Sequence, residues 1–341
     1  MHENWEYGVF QRALMLALIA AAGLLANPAA EADAPRGIAI TPRNFPEHSQ
    51  ADVDQAFSFA QELGAHAVFI YQWGELDSSV VRAALTTAKE LDLVPVVGLS
   101  PTSLDKGRKE LDVPADVRRR AGAGLSFSNP VVRKSYVKAA TDIARLKPAY
   151  LCLATEINLL AIQRLPEYLH FATLYKEAYR AVKRVSPRTK VFASFQWEWV
   201  RILDAREPDR IAEHTKVIDI LRPELDLVGF TTYPAPFHDT PDELPSDYYR
   251  WMGRHIRSGE PVMMMEVGWP TSGPGNEAEQ MAFIDRLPGL LEGINLVGVE
   301  WALLHDVQVG AFNADLNTVG LRHRDGRAKP GYAAFRALTV R

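Results

Sequence analysis

From residue 36 onward the chain repeats one pattern eight times. A short apolar or β-branched run ends in polar and aromatic residues, and a stretch of helical hydrophobic period follows. The runs are Gly37 to Pro46, Ala65 to Trp73, Leu93 to Ser100, Ala149 to Glu156, Lys190 to Trp197, Asp226 to Tyr233, Pro261 to Gly268 and Leu296 to Leu304. The helical stretches are Ala51 to Leu63, Ser78 to Leu91, Pro130 to Leu146, Pro166 to Val185, Asp209 to Leu221, Ser246 to Ser258, Asn276 to Leu291 and Pro330 to Leu338. In the third, Val132, Tyr136, Ala139, Ala140 and Ile143 recur at three- and four-residue spacing and share one face. Eight strands each followed by a helix is the count of an α/β fold, a single (β/α)8 TIM barrel. An open doubly wound sheet also alternates. It commonly carries five or six strands and a Gly-rich phosphate loop, and that loop is missing here.

The 341 residues exceed the roughly 250 of a plain barrel, and no Pro/Gly/Ser-rich linker divides them, so residues 35–341 read as one domain with long loops. Pro101 to Asn129 and Pro234 to Pro245 are the longest of these, and both follow strand C-termini, where a barrel builds its site. The 38 basic and 42 acidic residues are interspersed, and Arg118-Arg119-Arg120 reads as a solvated cluster, so the chain lacks the footprint of a nucleic-acid or anionic-membrane binder. One cysteine, Cys152, excludes an intrachain disulfide and a thiolate metal cluster. Arg12, the apolar run Ala13 to Leu25 and Ala30-Glu31-Ala32 have the layout of a signal peptide over residues 1–34, which implies a secreted or periplasmic protein. Glu3 and Glu6 offset Arg12, which leaves an uncleaved anchor as the alternative. The chain is expected to act as a monomer.

Strand bodies must fill a barrel, so carboxylates closing apolar runs are the informative residues. Glu156 follows Leu151-Cys152-Leu153-Ala154, and Glu266 follows Val262-Met263-Met264-Met265. Desolvating either is costly without a role or a partner. Strands four and seven lie nearly across a barrel, and two such glutamates suit glycosidic cleavage: one protonates the leaving oxygen while the other meets the anomeric carbon. Trp73, Trp197, Trp199, Trp269 and Trp301 fall at or just past strand ends, where indoles stack on sugar rings, and Gln196, Thr155 and Asn158 offer hydroxyl partners. The bland reading is that each indole caps the core. Glu75, Glu198 and Glu300 are spare carboxylates, and parity sets Glu300 and Trp301 on opposite faces, with a neighbouring Arg or Lys the expected partner of Glu300. His305, Asp306, His238 and Asp239 form no recognisable metal motif, and His305 with Asp306 reads as a structural pair; neither metal nor cofactor is expected.

Glu266-Val267-Gly268-Trp269-Pro270-Thr271 resembles the nucleophile segment of clan A glycoside hydrolases, notably endo-β-1,4-galactanases and endo-β-1,3-glucanases. Ala154-Thr155-Glu156-Ile157-Asn158 occupies the place of their strand-four acid/base. The resemblance implies retaining cleavage of a β-linked carbohydrate through a covalent glycosyl-enzyme. Glu266 would be the nucleophile, Glu156 the acid/base, and Tyr233 and Trp301 substrate-site residues. It also implies an Asn before the acid/base, where this chain has Thr155. A catalytically inert carbohydrate-binding barrel and, less favoured, a metal-dependent barrel hydrolase are the alternatives.

Overall fold

The computed structural model describes residues 33–310 and 314–340, and residues 34–340 form one compact unit. The expected signal peptide or anchor lies almost wholly outside the described residues. Eight parallel strands close a barrel in chain order: β1 (Arg36–Ala39), β2 (His66–Gln72), β3 (Val94–Ser100), β4 (Tyr150–Cys152), β5 (Lys190–Gln196), β6 (Leu227–Thr232), β7 (Val262–Val267) and β8 (Leu296–Trp301). Each expected run thus supplies one strand, and the (β/α)8 reading holds.

Helices start where side chains satisfy their first free N–H groups. Ser49 and Asp52 form a reciprocal capping box at Gln50–Leu63, and Asn129, followed by Pro130, caps Pro130–Arg145. Asn276 caps Glu277–Leu291 through the Glu279 N–H. One expected helix is corrected: Ser246 to Ser258 carries only the 3-10 segment Arg250–Arg254. Its first residues are turns, and Arg254 stacks on Trp251 at 3.6 Å from the ring centroid, so the segment is held by side-chain stacking. Short extra helices, Ala115–Ala121, Asn158–Gln163 and Trp197–Arg206, open on the strand C-terminal side.

The tryptophans expected at the rim mostly belong to the layer between barrel and helices. Trp73, Trp197, Trp269 and Trp301 are at most 1% exposed. Trp73 meets Tyr136 edge-on at 5.0 Å, Trp197 meets Phe230 at 5.6 Å, Trp269 packs on Phe283 at 5.2 Å, and Trp301 lies by Phe335 at 5.7 Å. The Trp301 indole N–H donates to the Val319 carbonyl at 2.7 Å. Trp73, Trp269 and Trp301 pack against the helices outside the barrel and Trp197 against Phe230 of β6, because each strand must present an apolar outer face to the helix that follows it.

Inside the barrel, Gly37 on β1 is in register with His66 of β2 and Glu300 of β8. His66 Nδ1 and Glu300 Oε1 lie 2.6 Å apart, both side chains all but sealed. A Cβ on Gly37 would stand 1.8 Å from Glu300 Oε2, and one on Gly298 2.3 Å from Oε1, so two glycines make the space for this carboxylate. Glu300 is buried with a partner, as expected, but the partner is a histidine where a Lys or Arg was anticipated. Burial alone would lower the His66 pKa; the charge and hydrogen bond of Glu300 more than offset it, and the net shift is upward.

Candidate active site

The C-terminal end of the barrel gathers a cluster around Glu156 and Glu266. One and two residues past Cys152, the last paired residue of β4, the chain stays tied to β5: the Leu153 N–H donates to the Phe192 carbonyl and the Ser194 N–H to the Ala154 carbonyl. Glu156 then takes a left-handed backbone, φ 53°, and its N–H donates to Ser194 Oγ at 3.2 Å. A non-glycine residue held there costs about 1–2 kcal/mol, which surrounding contacts must offset.

β6 and the residue just past it supply a donor to each carboxylate. Thr231 Oγ1 donates to Glu156 Oε1 at 3.0 Å, and Tyr233 Oη donates to Glu266 Oε2 at 2.6 Å. Thr231 is also the register partner of Glu266, after a shift in the β6–β7 ladder that begins beside Phe230. Such irregularities re-aim side chains at barrel rims. Gly268 completes the arrangement, since a Cβ there would meet the Tyr233 ring at 2.7 Å. That contact gives the glycine of Glu-Val-Gly-Trp a physical reason.

Burial pushes Glu266 up to about 7, and the Glu156 charge adds to the rise, while donation from Tyr233 and the charge of Arg108 oppose it. Glu266 Oε1 is buried without a hydrogen-bond partner, which is consistent with a carboxyl that holds its proton. Tyr233 is raised well above the ordinary phenol range by burial and then by the two glutamate charges, so it keeps its proton and remains a donor. Tyr233 thus donates to Glu266, whose carboxyl is shifted upward.

Glu156 has a partner that the sequence did not disclose. Arg108, from the long loop after β3, places Nε 3.1 Å from Glu156 Oε2, with the two side chains only 5% and 12% exposed. Its Nη1 donates to Ser100 Oγ at 3.0 Å and to the Thr102 carbonyl at 3.1 Å. The only local signal was the adjacent Gly107, which precedes it in a left-handed turn.

The remaining expected contacts are turned inward. Asn158 brackets the Gln196 backbone, accepting from its N–H at 2.8 Å and donating to its carbonyl at 3.0 Å. Gln196 caps the helix Trp197–Arg206 through the Trp199 N–H and donates to Glu198 at 2.6 Å. Thr155 is fully buried, its hydroxyl without a partner. Glu198 is a buried hub that also accepts from Tyr248 and from the Tyr233 N–H. Trp199 and Phe237, 38% and 45% exposed, are the large aromatics left open on the segments that follow β5 and β6.

His305 and Asp306 take separate partners: His305 Nδ1 meets the Thr41 carbonyl at 2.7 Å, and Asp306 pairs with the buried Lys329 at 2.6 Å. The expected pairing between them is thus replaced by two independent contacts. Among the described residues no group of three or more His, Cys, Asp or Glu is placed to hold a metal ion, and no helix is long and apolar enough to cross a membrane.

Solved structures of other proteins share this barrel fold. A GH5_18 protein from Streptomyces cattleya, solved in complex with Manβ1-4GlcNAc, superposes with a TM-score of 0.68 at 16% identity, over 89% of this chain and 79% of that one. Xylanase 10B from Thermotoga maritima gives 0.61 at 13% identity, over 89% and 94%. A fungal β-1,4-galactanase gives 0.62 at 16% identity, over 90% and 100%. No family model and no curated protein sequence matches the chain. The barrel is therefore similar in fold to glycoside hydrolases of clan A.

Proposed function

We propose that this protein is a retaining β-glycoside hydrolase in which Glu266 is the nucleophile and Glu156 the acid/base. The observation that carries the reading is the joint placement of Glu156 and Glu266 at the C-terminal rim, each on a hydroxyl donor from β6 and each within the other's electrostatic reach. Polar residues at that end of a barrel are where chemistry resides, whereas the strand bodies only pack.

In the first step Glu266 attacks the anomeric carbon as the bond to the leaving oxygen breaks, and Glu156 gives its proton to that oxygen. In the second, Glu156 takes a proton from water, whose oxygen bonds to the anomeric carbon and frees Glu266. The first step needs Glu266 ionised and Glu156 protonated. Tyr233 assists by donating to the ionised Glu266. Trp199 and Phe237 would supply the faces on which sugar rings stack.

A panel of galactan, mannan and β-1,3- and β-1,4-glucans tests the proposal, with Glu156→Gln and Glu266→Gln as controls. The wild type should release reducing sugar from at least one glycan, and both variants should lose that activity. Equal oligosaccharide binding by wild type and Glu266→Gln, with no release by either, would make the protein a binding barrel.

A further inference from the structure

The loop that carries Arg108 is fixed to the segment that carries Glu156. The helix Asn158–Gln163 begins two residues after Glu156, and at its far end Gln163 Nε2 donates to the Gly107 carbonyl at 2.8 Å while the adjoining Arg164 Nη1 donates to the Lys109 carbonyl at 3.1 Å. Arg108 is thus clamped on both sides by the chain that leaves Glu156. Arg108 and Glu156 both occupy left-handed backbone, φ 64° and φ 53°. Two non-glycine residues in that region cost about 1–2 kcal/mol each, and they meet each other in one ion pair. Strain held at both ends of a single contact points to a contact that the site uses.

We infer that Arg108 is a positioning residue for Glu156, a built-in counterion that holds its carboxylate in place and offsets the repulsion between Glu156 and Glu266. The inference rests on the glycosidase reading above. With the acid/base tied to a guanidinium, the second step is favoured and the first, which needs a proton on Glu156, is penalised. The penalty is largest for leaving groups that depart poorly without a proton and small for those that leave as stable anions. Arg108 thereby biases the site toward glycosides with good leaving groups, an effect that does not depend on which sugar occupies the site.

The groups facing Glu156 are Arg108 from the β3 loop, Thr231 and Tyr233 from β6 and its end, Glu266 from β7 and Ser194 from β5, and Cys152 on β4 faces Glu266. Arg108 is the cation in this set, and Asp112 faces it from the same loop. Removing the guanidinium leaves the two carboxylates to repel each other with no cation beside them, so the pair retains a proton to higher pH.

The test compares wild type, Arg108→Met and Arg108→Lys on an aryl glycoside with an acidic phenol as leaving group and on an alkyl glycoside. For Arg108→Met the alkaline limb of kcat/KM on the alkyl glycoside should move up by about one pH unit or more. The ratio of alkyl to aryl kcat/KM should rise several-fold, and Arg108→Lys should restore most of the wild-type profile. An unmoved limb with equal losses on both substrates overturns the inference. Carboxyl 13C resonances of glutamate-labelled protein, assigned with the two Glu→Gln variants, give a readout independent of turnover. The proton of the pair should leave at higher pH in Arg108→Met. If no glycoside is cleaved by the wild type, the glycosidase reading fails while this titration still decides whether Arg108 governs the pair. If Arg108→Met does not fold, Gln163→Ala, which loosens the Gly107 anchor, should move the limb and the titration in the same direction by less, and no movement there counts against the inference.

Discussion

Two carboxylates enter the same barrel and end in opposite circumstances. Glu300, deep between β1, β2 and β8, has no exposure, a single histidine partner and two glycines that clear its space. Glu266, at the rim of β7, is partly open, holds one oxygen to Tyr233 and leaves the other without a partner. Each leaves one carboxylate oxygen without a hydrogen-bond partner. The first is a sealed pair whose neighbours are shaped around it, and the second stands beside another acid. A buried carboxylate alone therefore does not mark a site; access, a neighbouring like charge and strained backbone nearby separate the two.

Exchanging the charges tests this contrast most sharply. Glu266→Gln should lower glycoside turnover by at least about a thousand-fold, while a folded Glu300→Gln should stay within a few-fold of wild type. Steady-state rates on one substrate check both, and equal losses would erase the distinction. In stability the order reverses. Glu300→Ala strips His66 of its partner and should cost about 3–5 kcal/mol in denaturant unfolding. Gly37→Ala forces a methyl group onto Glu300 and the His66 Cβ and should cost about 1–3 kcal/mol without altering the pH profile of turnover.

A subtler prediction concerns Glu266 itself. A carboxyl whose folded pKa lies above its unfolded one binds its proton more tightly when folded, so its ionisation reduces stability as pH rises from about 4.5 to about 7. Glu266→Gln should accordingly raise Tm more at pH 8 than at pH 5, and a gain independent of pH would show that Glu266 is not shifted upward. The smallest expected effect is that of Gly268→Ala. It should displace the Tyr233 ring and reduce kcat several-fold with little change in Tm, measured on the same substrate.

The barrel was legible because its signals are local. Each strand is an apolar run closed by polar residues, and caps such as Asn129 and Asn276 sit where the helical periods begin. Glu156 and Glu266 were legible as carboxylates ending runs that are otherwise apolar. Arg108 was not: it lies 48 residues from Glu156 in a loop of no period, and only the folded loop brings it there. The His66 pairing spans 234 residues, and parity could place Glu300 inside without naming what it would meet. The tryptophans misled for a related reason. A strand end lies close to both the rim and the helix layer, and the direction of an indole depends on register, which spacing alone leaves open. The stretch Ser246 to Ser258 shows the same limit, since stacking of Arg254 on Trp251 is invisible to a search for period.

The burial of Trp73, Trp197, Trp269 and Trp301 divides selection as well as space. Each is fixed by its packing neighbours, so drift at these positions is judged by folding. Trp199 and Phe237 stand open on connecting segments, where exchange costs the fold little. A lineage built on this barrel can therefore revise what it stacks against without renegotiating how it folds.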